Sequence, residues 1–266
     1  MKAIILGAGR GRRLMPATQR LPKCLLPVVN GRRILDTLLG AFRESGITEV
    51  VFVGGFRMDE VQRAFPSLTY VYNPVWDTTN ILQSLLVARA HIAGPVVLSY
   101  SDITFGAPTV ANLLTEQADV TLAIDPRWRD AYNTRTHHPE SEAEKVIASS
   151  GTVEDIGKRV PTSSATGEFI GLALLSADGA AMVRSISDRL IHTPDSRPFH
   201  DAARLADAYL TDMIKELIAN GARVRAVPVA GPWAEFDTMQ DTRLAEIRLA
   251  PASRASIDAA VLRVDQ

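Results

Sequence analysis

Residues 6–28 carry the residue types that hold a polyphosphate. Leu6 and Ala8 frame Gly7, Gly9 and Gly11, and Arg10, Arg12 and Arg13 stand among them. Glycines let backbone N–H groups come close to an anion and cradle it. At the far end of the same segment, Pro22-Lys23 adds a lysine to a chain that has only four others. Two common phosphate loops are excluded. A P-loop ends in Gly-Lys-Ser/Thr, whereas Gly11 is followed by Arg12-Arg13. A dinucleotide-binding turn needs a third glycine where Arg12 stands and a helix immediately after it, which Pro16 and Pro22 forbid. A loop that neutralises a triphosphate from both ends is left, with a glycine turn and solvated arginines as the plainer alternative.

Five further segments could do chemistry. Asp102 follows the apolar run VVLSY, so it stands at a strand end and can hold a hard cation such as Mg²⁺, or cap a helix. Asp237 lies in PWAEFDTMQD, with Thr238 opening a helix, and offers a second metal carboxylate or another cap. Thr79, Asn80 and Ser84 begin a helical stretch, where capping competes with a nucleotide contact. Gly54 and Gly55 end an apolar run and would let a base edge meet backbone groups. The polar stretch 128–146 gathers Arg129, Arg135, His137 and Lys145, which could grip a second anion or form a solvated lid.

The elements that must position these residues alternate. Strands are expected at 3–6, 49–53, 69–72, 96–100 and 120–124, with helices at 33–45, 58–64, 80–91 and 109–116. This order implies βαβ units and an α/β, Rossmann-like, mostly parallel sheet flanked by helices, with ligands at the carboxyl ends of the strands. Residues 126–168 read as a small β-rich insertion or lid over the acceptor. A strand at 169–175, helices at 177–190 and 200–220, a strand at 223–229 and a last helix from 244 complete the pattern. Residues 1–249 read as one domain and 250–266 as a tail. A 46 % hydrophobic fraction suits a globular core, and a formal net charge of -1 gives no global field for nucleic acid or an anionic membrane. The single Cys24 excludes an internal disulfide, and no apolar run approaches the ~18 residues of a membrane span. A cytoplasmic protein is expected.

Gly7, Gly9, Gly11, Arg12, Pro16, Thr18, Pro22 and Lys23 resemble the signature of the nucleotidyltransferases that activate sugar phosphates and phosphocholine. The Trp233-x-Glu-x-Asp-Thr run resembles the late metal segment of that family, with Asp102 as its mid-chain partner. Thr79-Asn80 with Ser84-Leu85, and the stretch 128–175, are similar to the phosphocholine enzymes and to the cytidylyltransferases of phosphonate biosynthesis. The resemblance implies a Mg²⁺-dependent transfer of CMP from CTP to a small anionic phosphonate or phosphate. Lys23 and Arg12 would be catalytic, and Asp102 and Asp237 would hold the metal. Leu6 through Gly11, Arg13, Gly54, Gly55, Thr79, Asn80 and Ser84 would bind the nucleotide. Arg129, Arg135, His137, Lys145 and Glu168 would bind the acceptor. A sugar-1-phosphate nucleotidyltransferase using UTP, GTP or dTTP, or a non-catalytic nucleotide-binding regulator, are the alternatives. The sequence leaves the acceptor's identity and the oligomeric state open.

Overall fold

The structure, a computed structural model, describes residues 1–28 and 31–249. The tail expected at 250–266 lies outside them. The chain begins with β1 (Lys2–Gly7), followed by α1 (Ile34–Glu44), β2 (Glu49–Gly54), α2 (Met58–Ala64), β3 (Thr69–Tyr72), α3 (Ile81–Val87) and β4 (Val96–Tyr100). After a short β5 (Ile103–Thr104) come α4 (Ala107–Leu113), β6 (Val120–Asp125), α5 (Trp128–Tyr132), β7 (Lys145–Ser149), β8 (Thr152–Gly157) and β9 (Gly167–Leu175). The remainder is α6 (Ala177–Leu190), α7 (Leu210–Ala219), β10 (Val224–Pro228), β11 (Ala234–Glu235) and α8 (Met239–Leu249). Nine strands form one sheet in the order β3-β2-β1-β4-β9-β6-β10-β8-β7. β1 to β4 run parallel, and β10 runs parallel to β6, while β9 is antiparallel to both β4 and β6.

Side chains that alternate along each strand build one apolar layer on each face. On β1, Ile4 and Leu6 join Leu82 and Leu85 of α3 and Val183 of α6, whereas Ala3 and Ile5 join Leu35, Leu38 and Phe42 of α1. All ten are at most 3 % exposed, so the sheet edge that carries Gly7 and Asp102 is anchored from both sides.

Four readings from sequence shift. The stretch 126–168, read as a small β-rich insertion or lid, contains a β-hairpin that belongs to the main sheet: β7 pairs with β8 and β9, and β8 with β10. The helix expected from 80 ends at Val87 and continues only as a 3-10 turn at Arg89–His91. The helix expected from 200 begins at Leu210, where Asp212 accepts from the backbone N–H of Tyr209 at 2.7 Å. Before it, the backbone oxygens of Ala206 and Ala208 accept from the N–H groups of Asn80 and Leu82, which binds that loop to the start of α3. The last helix starts at Met239 because the Asp241 carboxylate accepts from the N–H of Thr238 at 2.7 Å.

Candidate active site

The loop after β1 is fixed by local contacts. Gly11 adopts φ 67°, the left-handed region that glycine enters without strain. The buried Thr18 hydroxyl donates to the Gly11 carbonyl at 2.7 Å, and Leu14, Cys24 and Leu25 anchor two 3-10 turns in the core. Gly7 is required by space: a Cβ there would meet the Phe52 ring at 2.6 Å and Ser101 at 2.8 Å. The second 3-10 turn delivers Lys23, which is 9 % exposed.

A second pair of short strands brings the two aspartates together. β11 runs antiparallel to β5, with Glu235 opposite Ile103, and the N–H of Phe236 donates to the Asp102 carbonyl at 2.9 Å. Asp102 and Asp237 therefore flank the Lys23 ammonium, which donates to Asp102 Oδ2 at 2.7 Å and to Asp237 Oδ1 at 2.5 Å. The other Asp237 oxygen accepts from Arg13 at 2.9 Å and lies 3.1 Å from His138 Nδ1. Burial pushes the Asp237 carboxyl up, but Lys23, His138 and Arg13 outweigh it and hold it well below the usual carboxylate range. Burial likewise pushes the Lys23 ammonium down, and the two aspartates reverse that and raise it.

Two cavities meet here and share Arg13, Asn80, Ile81, Asp102 and Asp237. The first, of about 360 Å³, is lined by Leu6, Gly7, Ala8, Gly9, Gly11, Arg12, Lys23, Thr79 and Ser84 together with those five. Most of the nucleotide-binding set expected from sequence thus faces one space. Three members do not line it. Arg10 lies over the Phe56 ring at 5.2 Å. Gly54 and Gly55 back the wall, since a Cβ on them would strike Met58 and Trp76, both at 2.5 Å. Asn80 caps α3 through Ile81 N–H at 2.8 Å and also faces both cavities, so capping and lining coexist. Trp76 and Asn73 also face the first cavity and were not singled out from sequence.

The second cavity, of about 270 Å³, departs furthest from expectation. Of the five acceptor residues expected, only Glu168 lines it. The Arg135 guanidinium is buried and committed elsewhere, donating to Asp241 at 2.7 Å and to Glu235 at 3.0 Å. It braces the loop that presents Asp237 and is not a free cation. Arg129 lies over the Trp128 ring and donates to the carbonyls of Thr162 and Ala165. His137 is exposed, and its neighbour His138 turns inward. Lys145 is buried on β7, with its ammonium 3.4 Å from the Ala143 carbonyl; Lys158, after β8, lines the cavity instead. The spacing of Trp233, Glu235 and Asp237, alternate residues of an extended run, was the available signal for Trp233 and Glu235. Tyr209, brought in by the loop before α7, had none.

Among the described residues, no helix is long and apolar enough to cross a membrane.

The chain is similar to known proteins in sequence and in fold. The CTP:phosphoglutamine cytidylyltransferase of Campylobacter jejuni is 27 % identical over 251 residues, which is 91 % of this chain and 97 % of that protein. The CMP-5'-(3-aminopropyl)phosphonate synthase of Streptomyces rubellomurinus is 38 % identical over 111 residues, 40 % of this chain and 18 % of its relative. The solved CTP:phosphocholine cytidylyltransferase of Streptococcus pneumoniae superposes with a TM-score of 0.67 at 21 % identity, covering 93 % of this chain and 98 % of that one. The MobA-like NTP transferase domain matches residues 3–162, more than half of the sequence, and the chain belongs to that family of nucleotidyltransferases.

Proposed function

We propose that the chain is a cytidylyltransferase, which transfers CMP from CTP to a small phosphonate or phosphate acceptor and releases pyrophosphate. The observation that carries this reading is the Lys23 ammonium held between Asp102 and Asp237 where the glycine-loop cavity meets a second cavity. The first cavity suits a triphosphate, with the backbone of Gly7, Gly9 and Gly11 and the charges of Arg12 and Arg13 around it. The second suits the acceptor. An acceptor oxygen bonds to the α-phosphorus as the bond to the pyrophosphate oxygen breaks, and that electron pair leaves with pyrophosphate. A phosphonate or phosphate oxygen is already anionic near neutral pH, so no general base is needed. Catalysis then reduces to positioning and charge neutralisation. Lys23 neutralises charge that grows on the α-phosphate, and Arg13 and Lys158 orient the acceptor anion.

Asp102 and Asp237 offer hard carboxylate oxygens, and Asp102 Oδ1 is buried without a hydrogen-bond partner. The pair therefore fits Mg²⁺, which when bound would supply further positive charge to the reacting phosphate. His138 and Glu235 lie close enough to Asp237 to join it, with one donor atom from each of the three within 4.8 Å of the others. CTP as donor is supported by the cytidylyltransferase relatives and by Asn80 and Ser84 in the first cavity. The test is pyrophosphate release from CTP, UTP, GTP, ATP and dTTP with Mg²⁺ and a panel of small phosphates and phosphonates. CTP should lead. A preference for UTP or dTTP with a sugar 1-phosphate would move the chain to sugar-nucleotide chemistry.

A further inference from the structure

The second cavity is walled by the carboxyl groups of Asp102, Asp237, Glu142, Glu144, Glu168 and Glu235, against the permanent cations of Arg13 and Lys158. Lys23 reaches the two aspartates from the first cavity, and Arg135 reaches Glu235 from behind. An anionic acceptor is opposed by that wall unless further positive charge is bound there. One side of the cavity is built to bind it. His138 is 3 % exposed, and its Nδ1 lies 3.1 Å from Asp237 Oδ2. The two atoms are not aligned as a hydrogen bond, and Nδ1 has no such partner among the described residues. Their separation is the span of two donors on one cation when each bond is about 2.1 Å and the bonds meet near a right angle. A Glu235 oxygen lies within 4.8 Å of both donor atoms, so a small turn of its side chain completes a three-donor face. All three side chains line the cavity.

We propose that His138, Glu235 and Asp237 form a second divalent-cation site, separate from the Asp102–Asp237 pair, that takes a transition-metal ion and receives the anionic end of the acceptor. The acceptor role rests on the transferase reading above; the metal site does not. Imidazole nitrogen suits ions such as Co²⁺ and Zn²⁺, whereas Mg²⁺ keeps to oxygen donors. The supports of such a site are in place. Arg135 donates to Glu235 Oε2 at 3.0 Å, and Asp241 accepts from the Asp237 N–H at 3.1 Å, which fixes both carboxylate segments. The Tyr132 ring meets the His138 imidazole edge-on, with centroids 5.9 Å apart, and so orients it. Asp237 can serve both sites because each carboxylate oxygen has a lone pair to spare. Oδ1 takes Lys23, and Oδ2 takes Arg13. The site also gives the inward turn of His138 a use that an oxygen-only metal pair leaves out.

The test uses the untagged full chain and Co²⁺, whose paramagnetism reports on its donors. Co²⁺ is titrated by calorimetry against saturating Mg²⁺. One Co²⁺ that Mg²⁺ does not displace should bind, and it should give a strongly shifted imidazole N–H proton resonance that disappears in D₂O. His138→Gln should weaken this ion at least ~10-fold, the low end of the loss that even outer partners of a metal ligand bring, and remove the shifted resonance. The rise in Tm with Mg²⁺ should remain in the variant. Methylphosphonate, a bare acceptor end, should bind several-fold tighter once Co²⁺ is added to the parent, and that gain should vanish in His138→Gln. Complete displacement of Co²⁺ by Mg²⁺, or no imidazole resonance in the parent, would overturn the site, and neither readout needs a variant to fold. A resonance that survives His138→Gln would place the ion on another histidine and overturn it equally. Methylphosphonate binding indifferent to Co²⁺ would overturn the acceptor role. The histidine signature with no CMP transferred from CTP would keep the metal site and sink the transferase reading. Turnover with Mg²⁺ and no second ion would do the reverse.

Discussion

Lys23 is the residue at which the loop and both aspartates converge, and its ammonium already occupies the space between their carboxylates. Lys23→Ala should lower kcat by ~10²–10³ and change CTP affinity little, since its charge counts most as the α-phosphate becomes more negative. It should also leave two carboxylates without their shared cation, so Mg²⁺ should raise the Tm of the variant more than that of the parent. Near-normal turnover would remove Lys23 from the mechanism, and equal Mg²⁺ effects would show that lysine and metal do not compete. Arg135 carries the opposite lesson. Its partners Glu235 and Asp241 lie a hundred residues away in sequence, so composition alone made it look like a ligand for an anion. Arg135→Ala should cost about 3–5 kcal/mol in urea unfolding, because it strands the buried Asp241 carboxylate and the half-buried Glu235. A rise in acceptor KM with unchanged stability would restore it to the acceptor site. Lys23 and Asp102 could be picked from sequence because one ends a glycine loop and the other a buried apolar run, whereas Asp237 was picked only through the Trp233-x-Glu-x-Asp-Thr run, since a long-range strand pair places it. The choice of His138 over His137, or Lys158 over Lys145, depends on which way a chain turns within the hairpin region.

At the scale of elements, buried strands were legible wherever an apolar run was bounded by polar or glycine residues. The reading 96–100 for β4 and 58–64 for α2 coincide with the structure. β5 and β11 were not legible. Each has two residues, too few for a period, and they exist because they pair with each other beside Asp102 and Asp237. The start of α7 was missed because the apolar residues Leu205, Ala206 and Ala208 mimic a helical face, whereas the backbone there is tied to α3. The contact between α6 and the start of β6 offers a test of close packing. A Cβ on Gly179, in the first turn of α6, would lie 1.9 Å from the Asp119 carbonyl oxygen. Gly179→Ala should therefore destabilise the fold by at least ~2–3 kcal/mol although alanine favours helices, since the backbone must shift to make room. A variant as stable as the parent, measured by urea denaturation, would show that α6 can move away from β6 freely.

For the whole molecule, the near-neutral total of -1 hides a local excess of buried carboxylates. No reading of composition could find it, because Tyr100, Glu144, Glu168, Glu235 and Tyr209 meet only once the sheet is assembled. The excess has a consequence for stability. Burial raises the Glu144 carboxyl from 4.5 to about 7, and Glu168, Glu235 and Asp212 move the same way. Between pH 4.5 and about 7 the folded chain then holds more protons than the unfolded chain, so unfolding releases protons and stability falls as pH rises. The depressed Asp237 acts below this window, where its contribution is lost only as pH falls beneath the ordinary aspartate range. The Tm of the ligand-free protein should accordingly decline from pH 5 to pH 8. Glu144→Gln should flatten that decline, because glutamine fills the same space without a charge to bury. A Tm that rises steadily across this range, or an unchanged slope in the variant, would mean that the cavity's carboxylates are already compensated in the folded chain.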